Sequence, residues 1–336
     1  MKFAAPFAGQ VVCVAGAGGY IGSTLVKALA LAGLKSLVLI DTSEYGLFEI
    51  TRWLQAEHPT VPCESVLGSV DDAPLLDDVF DRLHPDIVFH AAAFKHVGLV
   101  ESNPFAGIRN NALATYTFAK TAARHRVPKF LLISTDKAVN PRSVMGVSKR
   151  IAELFTLSFT ASNVIRLANV IGSTGSVIPL FLEQIEKGLP LSVTHPDASR
   201  YFLSKDEAVT SVLAAGLAAC EGMVLLPEFR GPVRVADLAR FLIGARALPI
   251  HFTGLKPGEK LTEDWIGDNE SKLNLIHGPL TVVETNALSP AEAGRTFHRL
   301  STCVAERDSA GLLEALCAIV PEYVPSQLMQ RCMVSA

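Results

Sequence analysis

The stretch VVCVAGAGGYIG, residues 11–22, decides the fold. Its first five residues are uniformly apolar and read as a short buried strand. Gly16 permits a tight turn, Gly19 lets a backbone approach a pyrophosphate, and Gly22 lets the following helix pack closely on the sheet. Tyr20 and Ile21 open that helix, so phosphates at the turn would meet free N–H groups and the positive end of the helix dipole. Three glycines alone mark only a turn, but here they sit between a strand and a helix. Asp41 then ends the next strand, about 20 residues further on. Its carboxylate is placed to accept from adenosine ribose hydroxyls and would repel a 2′-phosphate. Thr42, Ser43, Glu44 and Tyr45 bring no Arg or Lys to offset that, so the expected cofactor is NAD, not NADP.

Working outward, apolar runs at 36–40, 65–67, 87–90, 129–133 and 163–167 alternate with helical patterns at 20–32, 104–125 and 146–159. Continuous apolar strands separated by helices indicate a parallel sheet covered on both faces. Crossovers of one hand make it a doubly wound Rossmann α/β fold. The alternation weakens after Asn169, where SVIPLF and VTHPDASRYF read as loops and short elements. FTGLKPGEKL, 252–261, is a Gly/Pro-punctuated loop. The expected division is an NAD-binding domain over 1–173, with 205–226 returning to it. A smaller C-terminal substrate-binding part then covers 174–204 and 227–336, ending in a helical tail.

A net charge of −3 without a dense basic run gives no electrostatic case for nucleic acid or an anionic membrane. MKFAAPFAGQ lacks the apolar core and cleavage site of a signal peptide. The apolar stretch 210–227 is interrupted by Glu221 and falls short of the roughly 20 apolar residues of a span. It reads as a buried helix running into a strand, and no membrane contact is expected. Cys13, Cys63, Cys220, Cys303, Cys317 and Cys332 form no CxxC pair, which points to reduced thiols in a cytoplasmic protein. His195, His251, His277 and His298 lack ligand spacing, so no metal is expected.

The stretch carrying chemistry is LLISTDKAVNPRSVMGVSKR, 131–150. Ser134, Thr135, Asp136 and Lys137 leave a central strand at its carboxyl end, where doubly wound sheets place ligands. Met145 and Lys149 share one face of the helix that follows. With VAGAGGYIGSTL, LIDTSEYGLFEI, FHAAAFKHVGLVESNP, GSVIPLF, THPDASRYF and GLKPGEKL, this segment makes the chain resemble an extended short-chain dehydrogenase/reductase. Within that group it is similar to the polysaccharide-biosynthesis UDP-N-acetylglucosamine 4,6-dehydratases, in order from Val11 to about Glu263. The resemblance implies hydride removal from C4 of a UDP-sugar, loss of water across C5 and C6, and return of the hydride to C6. It assigns Lys149 to the nicotinamide ribose, Asp136 as acid at the C6 hydroxyl, Lys137 as base at C5 and Thr135 to O4. Asp136 must then hold a proton and Lys137 lose one; burial favours both and their mutual pairing opposes both. Met145 stands where most short-chain dehydrogenases carry Tyr. A branch of longer, membrane-anchored dehydratases has Met there too, so the chain looks like their catalytic domain alone. A water held by Thr135 would replace the phenol.

Further cofactor contacts implied are Ser43, Ser69 and Val70 after the third strand, and Ala91, Ala92, Ala93 and Lys95 after the fourth. Ser69 stands where the family usually has Asp. Implied substrate contacts are Lys95, His96 (equally readable as a hydrogen-bonded structural residue) and Asn169, then Ser176, Val177, Ile178 and Pro179 along the nucleotide. Arg200 is assigned to the pyrophosphate, with a surface salt bridge as its ordinary alternative; Tyr201 stacks or simply packs. Glu259 is assigned to the uridine ribose, and Lys256 replaces the family's usual Arg. His90 reads as a core histidine and Asn111 as structural. A homodimer is the default oligomer. The competing readings are a nucleotide-sugar epimerase, which needs no acid at C6, and a non-catalytic NAD-binding regulator, which Met145 favours.

Overall fold

The computed structural model describes residues 5–159, 161–277 and 279–331. Strands β1 (Val11–Ala15), β2 (Ser36–Asp41), β3 (Cys63–Leu67), β4 (Ile87–His90), β5 (Lys129–Thr135) and β6 (Ser162–Leu167) lie side by side in the order β3-β2-β1-β4-β5-β6. Every neighbouring pair among them is parallel. Beyond β6 come the short strands β7 (Asn169–Val170), β8 (Leu191–Val193), β9 (Ser199–Arg200) and β10 (Phe202–Leu203). β11 (Val224–Pro227) then rejoins the main sheet, parallel to β6. The short strands β12 (Val233–Arg234) and β13 (Ile250–Phe252) pair with β9 and β8, while β7 pairs with β10. β14 (Glu270–His277) and β15 (Leu280–Thr285) form an antiparallel hairpin on the far side of β11.

The parallel order follows from residue patterning. All five residues of β1 are buried, and they alternate between two cores. Val12 and Val14 join Leu25, Leu29 and Val212 on one face; Cys13 and Ala15 join Phe80, Phe118 and Ala122 on the other. The first core is covered by α1 (Tyr20–Leu29), the second partly by α3 (Ala73–Leu83); α2 (Glu44–Glu57) flanks β2 and β3. The short helix α4 (Val97–Glu101) leads to α5 (Pro104–Ile108), which passes through a π-helical turn, Arg109–Leu113, into α6 (Ala114–Arg124). The order reverses at β1, which has β2 on one side and β4 on the other. This is the crevice where such sheets hold ligands.

The sequence expectations for β1 and β4 hold to the residue, while β5 extends past Ile133 to Thr135. The stretch 210–227 is the end of a helix followed by β11. Among the described residues no helix is long and apolar enough to cross a membrane. The C-terminal third departs from expectation. The β14–β15 hairpin, placed in the sequence reading outside the nucleotide-binding unit, extends its sheet, because β15 buries Leu280, Val282 and Val283 against β11.

Helix α7 (Val144–Leu157) is buried along its whole length. Ser143 Oγ accepts from Gly146 N at its start, and Val144 N donates to the buried Glu101. The chain's own C-terminal helices α8 (Pro290–Glu306) and α9 (Ser309–Ile319) close over this region, with Phe297 stacked on Tyr116 at 4.4 Å between ring centres. α7 therefore offers no face to a second copy. The five described cysteines are free; Cys332 lies outside the described residues.

Candidate active site

The glycine turn is tighter than three spaced glycines require. Gly16 has φ of 77°, and a Cβ there would lie 2.6 Å from Ala92 N, in the loop after β4. A Cβ on Gly22 would lie 1.9 Å from Gly16 O. Gly18, which sequence reasoning left unassigned, abuts Gly46 of α2 with only 2.7 Å available between a Cβ and the Gly46 Cα. Gly19 caps α1 without a side chain, so the first-turn N–H groups face outward. Asp41 ends β2 as expected. One carboxylate oxygen accepts from Gly18 N and the other from Ser43 N, both at 2.8 Å. It thus fixes the turn and keeps further lone pairs to spare. Ser43 Oγ accepts from Gly46 N and caps α2. Beyond β3, Ser69 Oγ accepts from Asp71 N while Val70 is buried.

From this turn a cavity of about 850 Å³ runs toward β5 and β6. Gly19, Tyr20, Ile21, Gly22, Ala91 and Ala93 line its cofactor end. Tyr20 donates its hydroxyl to Ile171 O at 2.8 Å, which closes one side. Thr135, Lys137, Met145, Lys149 and Asn169 also line the cavity, as do Lys95, His96, Ser176 and Val177. Lys95 and His96 are exposed, and partial burial holds Lys95 below the ordinary lysine value. The His96 ring packs on Gly175. Ser176 Oγ is buried without a partner among the described residues. Asn111, on the π-helical turn, grips Phe94 by both backbone groups and also donates to Ser148 Oγ, which holds the loop of Ala91–Ala93 in place.

The segment at the end of β5 is compact. Thr135 Oγ1 donates to Asp136 Oδ1 at 2.9 Å. Lys137 Nζ donates to the same oxygen at 2.9 Å and to Asn169 Oδ1 at 3.1 Å. Lys149 Nζ donates to Ile133 O at 2.9 Å, and burial lowers its pKa to about 8 against the charge of Glu153. His90 is fully buried; its Nε2 meets Thr115 Oγ1, while its Nδ1 has no partner among the described residues. Burial, with Lys149 adding to it, holds His90 neutral at about 3.

Two expectations about this segment change. Asp136 is wholly buried and does not line the cavity; its Oδ2 has no partner among the described residues. Burial does push Lys137 toward its neutral form, but Asp136 and Glu263 outweigh it and hold the ammonium above the ordinary lysine range. Charge pairing therefore wins over desolvation in the free protein.

The nucleotide end also differs. Arg200 does not reach the cavity. Its guanidinium is buried and donates to the carbonyls of Ser199, Lys260 and Leu261 and to Glu259. Those donors are engaged within the protein, in a buried network and not in the surface salt bridge of the alternative reading. Glu259 accepts from Arg200, Thr194 and Lys256 N; Tyr201 packs on Phe229 and Trp265. None of Lys256, Glu259, Tyr201, Ile178 and Pro179 lines the cavity.

Sequence reasoning missed Glu263 and a buried ionic cluster behind α7. Arg166, 0% exposed, pairs with Glu153 and Glu270 at 2.7 Å each, and Arg150 joins both. Ser134 Oγ donates to Glu153 at 2.6 Å, tying the end of β5 to this cluster. Among the described residues no group of three acidic, His or Cys side chains is placed to hold a metal ion.

Comparison with known proteins places this geometry. The capsular polysaccharide biosynthesis protein CapD of Staphylococcus aureus is 40% identical over 273 residues, covering 78% of this chain and 46% of that protein. The chain thus spans about half the length of that relative. A UDP-glucose 4-epimerase of Rickettsia massiliae is 30% identical over 281 residues, covering 79% and 80%. The X-ray structure of Pen from Bacillus thuringiensis superposes with a TM-score of 0.72 at 25% identity, covering 84% of this chain and 89% of Pen. The family described as polysaccharide biosynthesis protein matches residues 12–285. With its glycine turn, its β5 segment and its hairpin all inside those bounds, the chain is a member of the polysaccharide biosynthesis protein family.

Proposed function

We propose that the chain is an NAD-dependent nucleotide-sugar 4,6-dehydratase, with UDP-N-acetylglucosamine as substrate. The observation that carries the reading is the meeting of Thr135, Lys137, Asn169, Met145 and Lys149 in one cavity that begins at the glycine turn. The cradle fits a dinucleotide: the uncapped first turn of α1 suits a pyrophosphate, and Gly16 and Gly22 leave no room for side chains beside it. Asp41 would hold the adenosine ribose and Lys149 the nicotinamide ribose. When bound, NAD supplies a hydride acceptor for C4 of the sugar and returns that hydride to C6.

The chain's own residues do the rest. Thr135 holds a water at O4 that takes the O4 proton as the C4 hydride leaves and relays it toward the nicotinamide ribose and Lys149, since the Met145 thioether carries no acid–base group. Lys137, as a free amine, takes the C5 proton; the C–H electron pair becomes the C5–C6 double bond as the C6–O bond breaks, and the Lys137 ammonium returns a proton to C5 when the hydride reaches C6. To start as that amine, Lys137 hands its ammonium proton to Asp136, 2.9 Å away; the Asp136 acid, brought to the cavity as the substrate binds, gives that proton to the departing hydroxyl, so water leaves. General acid–base groups of this kind contribute roughly 10²–10⁴-fold each. Asn169, bonded to Lys137, keeps the amine toward the sugar.

An epimerase is the second reading, favoured by the burial of Asp136 away from the cavity and by the epimerase relative. Incubation with UDP-N-acetylglucosamine and NAD in heavy water, followed by proton NMR, separates the two. A new 6-methyl signal with deuterium at C5 is expected; an intact C6 methylene with altered H4 couplings would replace the dehydratase by the epimerase.

A further inference from the structure

Glu263 sits on the loop that follows Gly258 and is 4% exposed. Its Oε1 stands 3.4 Å from Lys137 Nζ and 3.8 Å from Arg200 Nε, and its Oε2 has no partner among the described residues. Bonds to β9 deliver it there. Ser199 N donates to Leu261 O at 2.9 Å, and the hydroxyls of Ser199 and Thr262 meet at 3.0 Å. Arg200 grips the carbonyls of Lys260 and Leu261 at 2.8 and 3.0 Å. From the other side, Lys260 Nζ donates to Val139 O at 2.7 Å, which fastens the loop to the turn that carries Lys137. Exposed pairs of this type contribute little. Here both carboxylates beside Lys137 are buried, and solvent screens them far less.

Resting on the dehydratase reading, we infer that Glu263 is a positioning residue that acts through Lys137, holding the amine from the loop side while Asp136 holds it from its own turn. Arg200 stands one step further back, fixing the loop on which Glu263 rides. The charged groups facing Lys137 are Asp136 from the turn, Glu263 from the loop and Arg200 from β9. Two attractions outweigh burial and one repulsion, so removing the Glu263 charge eases proton release from Lys137.

Glu263→Gln keeps the shape and removes the charge. With lysine carbons labelled at Cε, the full chain is titrated by NMR, and the Lys137 signal is identified by its loss in Lys137→Arg. The variant's signal is expected to titrate roughly one pH unit or more below the parent's. The acid limb of kcat/KM is expected to move down by the same amount, since a base works as the free amine. An unmoved titration overturns the inference, and so does a moved titration with an unmoved kcat/KM limb. If Glu263→Gln fails to fold, Glu263→Asp, which retracts the charge, should shift both readings the same way by less; no shift there overturns the inference equally. The titration is read without substrate, so it stands apart from the 6-methyl experiment, whose failure would sink the dehydratase reading instead.

Discussion

Raising the pH through about 8 should loosen NAD, and Lys149 is the reason. Its amine is buried at 4% residue exposure with one protein acceptor, Ile133 O. Burial lowers its pKa from 10.5 to about 8. Roughly nine in ten copies then carry charge one unit below that value, and one in ten a unit above it. The fold disfavours the charged form, so in the free protein this group's cost to stability is greatest below about 8 and is relieved as pH rises toward 10.5. A bound anionic dinucleotide favours the charged form and pulls the pKa back up. Binding above about 8 must therefore take up a proton. The Kd for NAD is expected to be flat below that point, then to weaken by up to about tenfold per pH unit. The loss saturates at the worth of one charge-assisted hydrogen bond, about 1.5–3 kcal/mol, or roughly ten- to a hundredfold. Calorimetric titration in buffers of different ionisation enthalpy reads both the Kd and the proton. Lys149→Arg stays charged throughout and should flatten the curve. Lys95 lines the same cavity and is also shifted down, so Lys95→Met serves as the control. A Kd independent of pH in the parent, or a dependence that survives in Lys149→Arg, would refute the assignment.

Two further outcomes follow from the packing. Arg166→Met removes one of the two arginines shared by the buried Glu153 and Glu270 and leaves Arg150, which should cost up to about 3–5 kcal/mol in thermal or urea unfolding. A loss below about 1 kcal/mol would mean the cluster does not hold the sheet to its hairpin. Gly22→Ala drives a methyl against Gly16 O and should weaken NAD binding at least about tenfold in the same calorimetric assay. Gly98→Ala, which meets nothing within 4 Å, should leave binding intact. Equal affinities for the two variants would remove the glycine turn from the cofactor site.

The residues of the cofactor half could be read from sequence because their constraints are local. Gly16, Gly19 and Gly22 lie on one turn and its helix, and Asp41 closes the neighbouring strand at the spacing the crossover dictates. The apolar runs of β1 and β4 likewise report their own burial, and Lys149 follows Met145 by one helical turn. The π-helical turn at Asn111 and the Gly18–Gly46 contact carry no such local pattern. The hairpin of β14 and β15 was lost because its pairing with β11 joins segments far apart in the chain. The tertiary structure alone decided what the charges do. Arg200 in a loop-like sequence looks free for a phosphate, yet the carbonyls of a segment some sixty residues away engage it. Asp136 and Lys137 are adjacent in sequence, so their pairing was foreseeable. Its outcome was not, because Glu263 arrives from a distant loop and tips the balance to the ammonium. Residue type and spacing determine backbone turns and strand burial, since those are short-range steric and solvation effects. Protonation and ligand access depend on which distant charges the fold brings within a few ångströms, where little solvent remains to screen them.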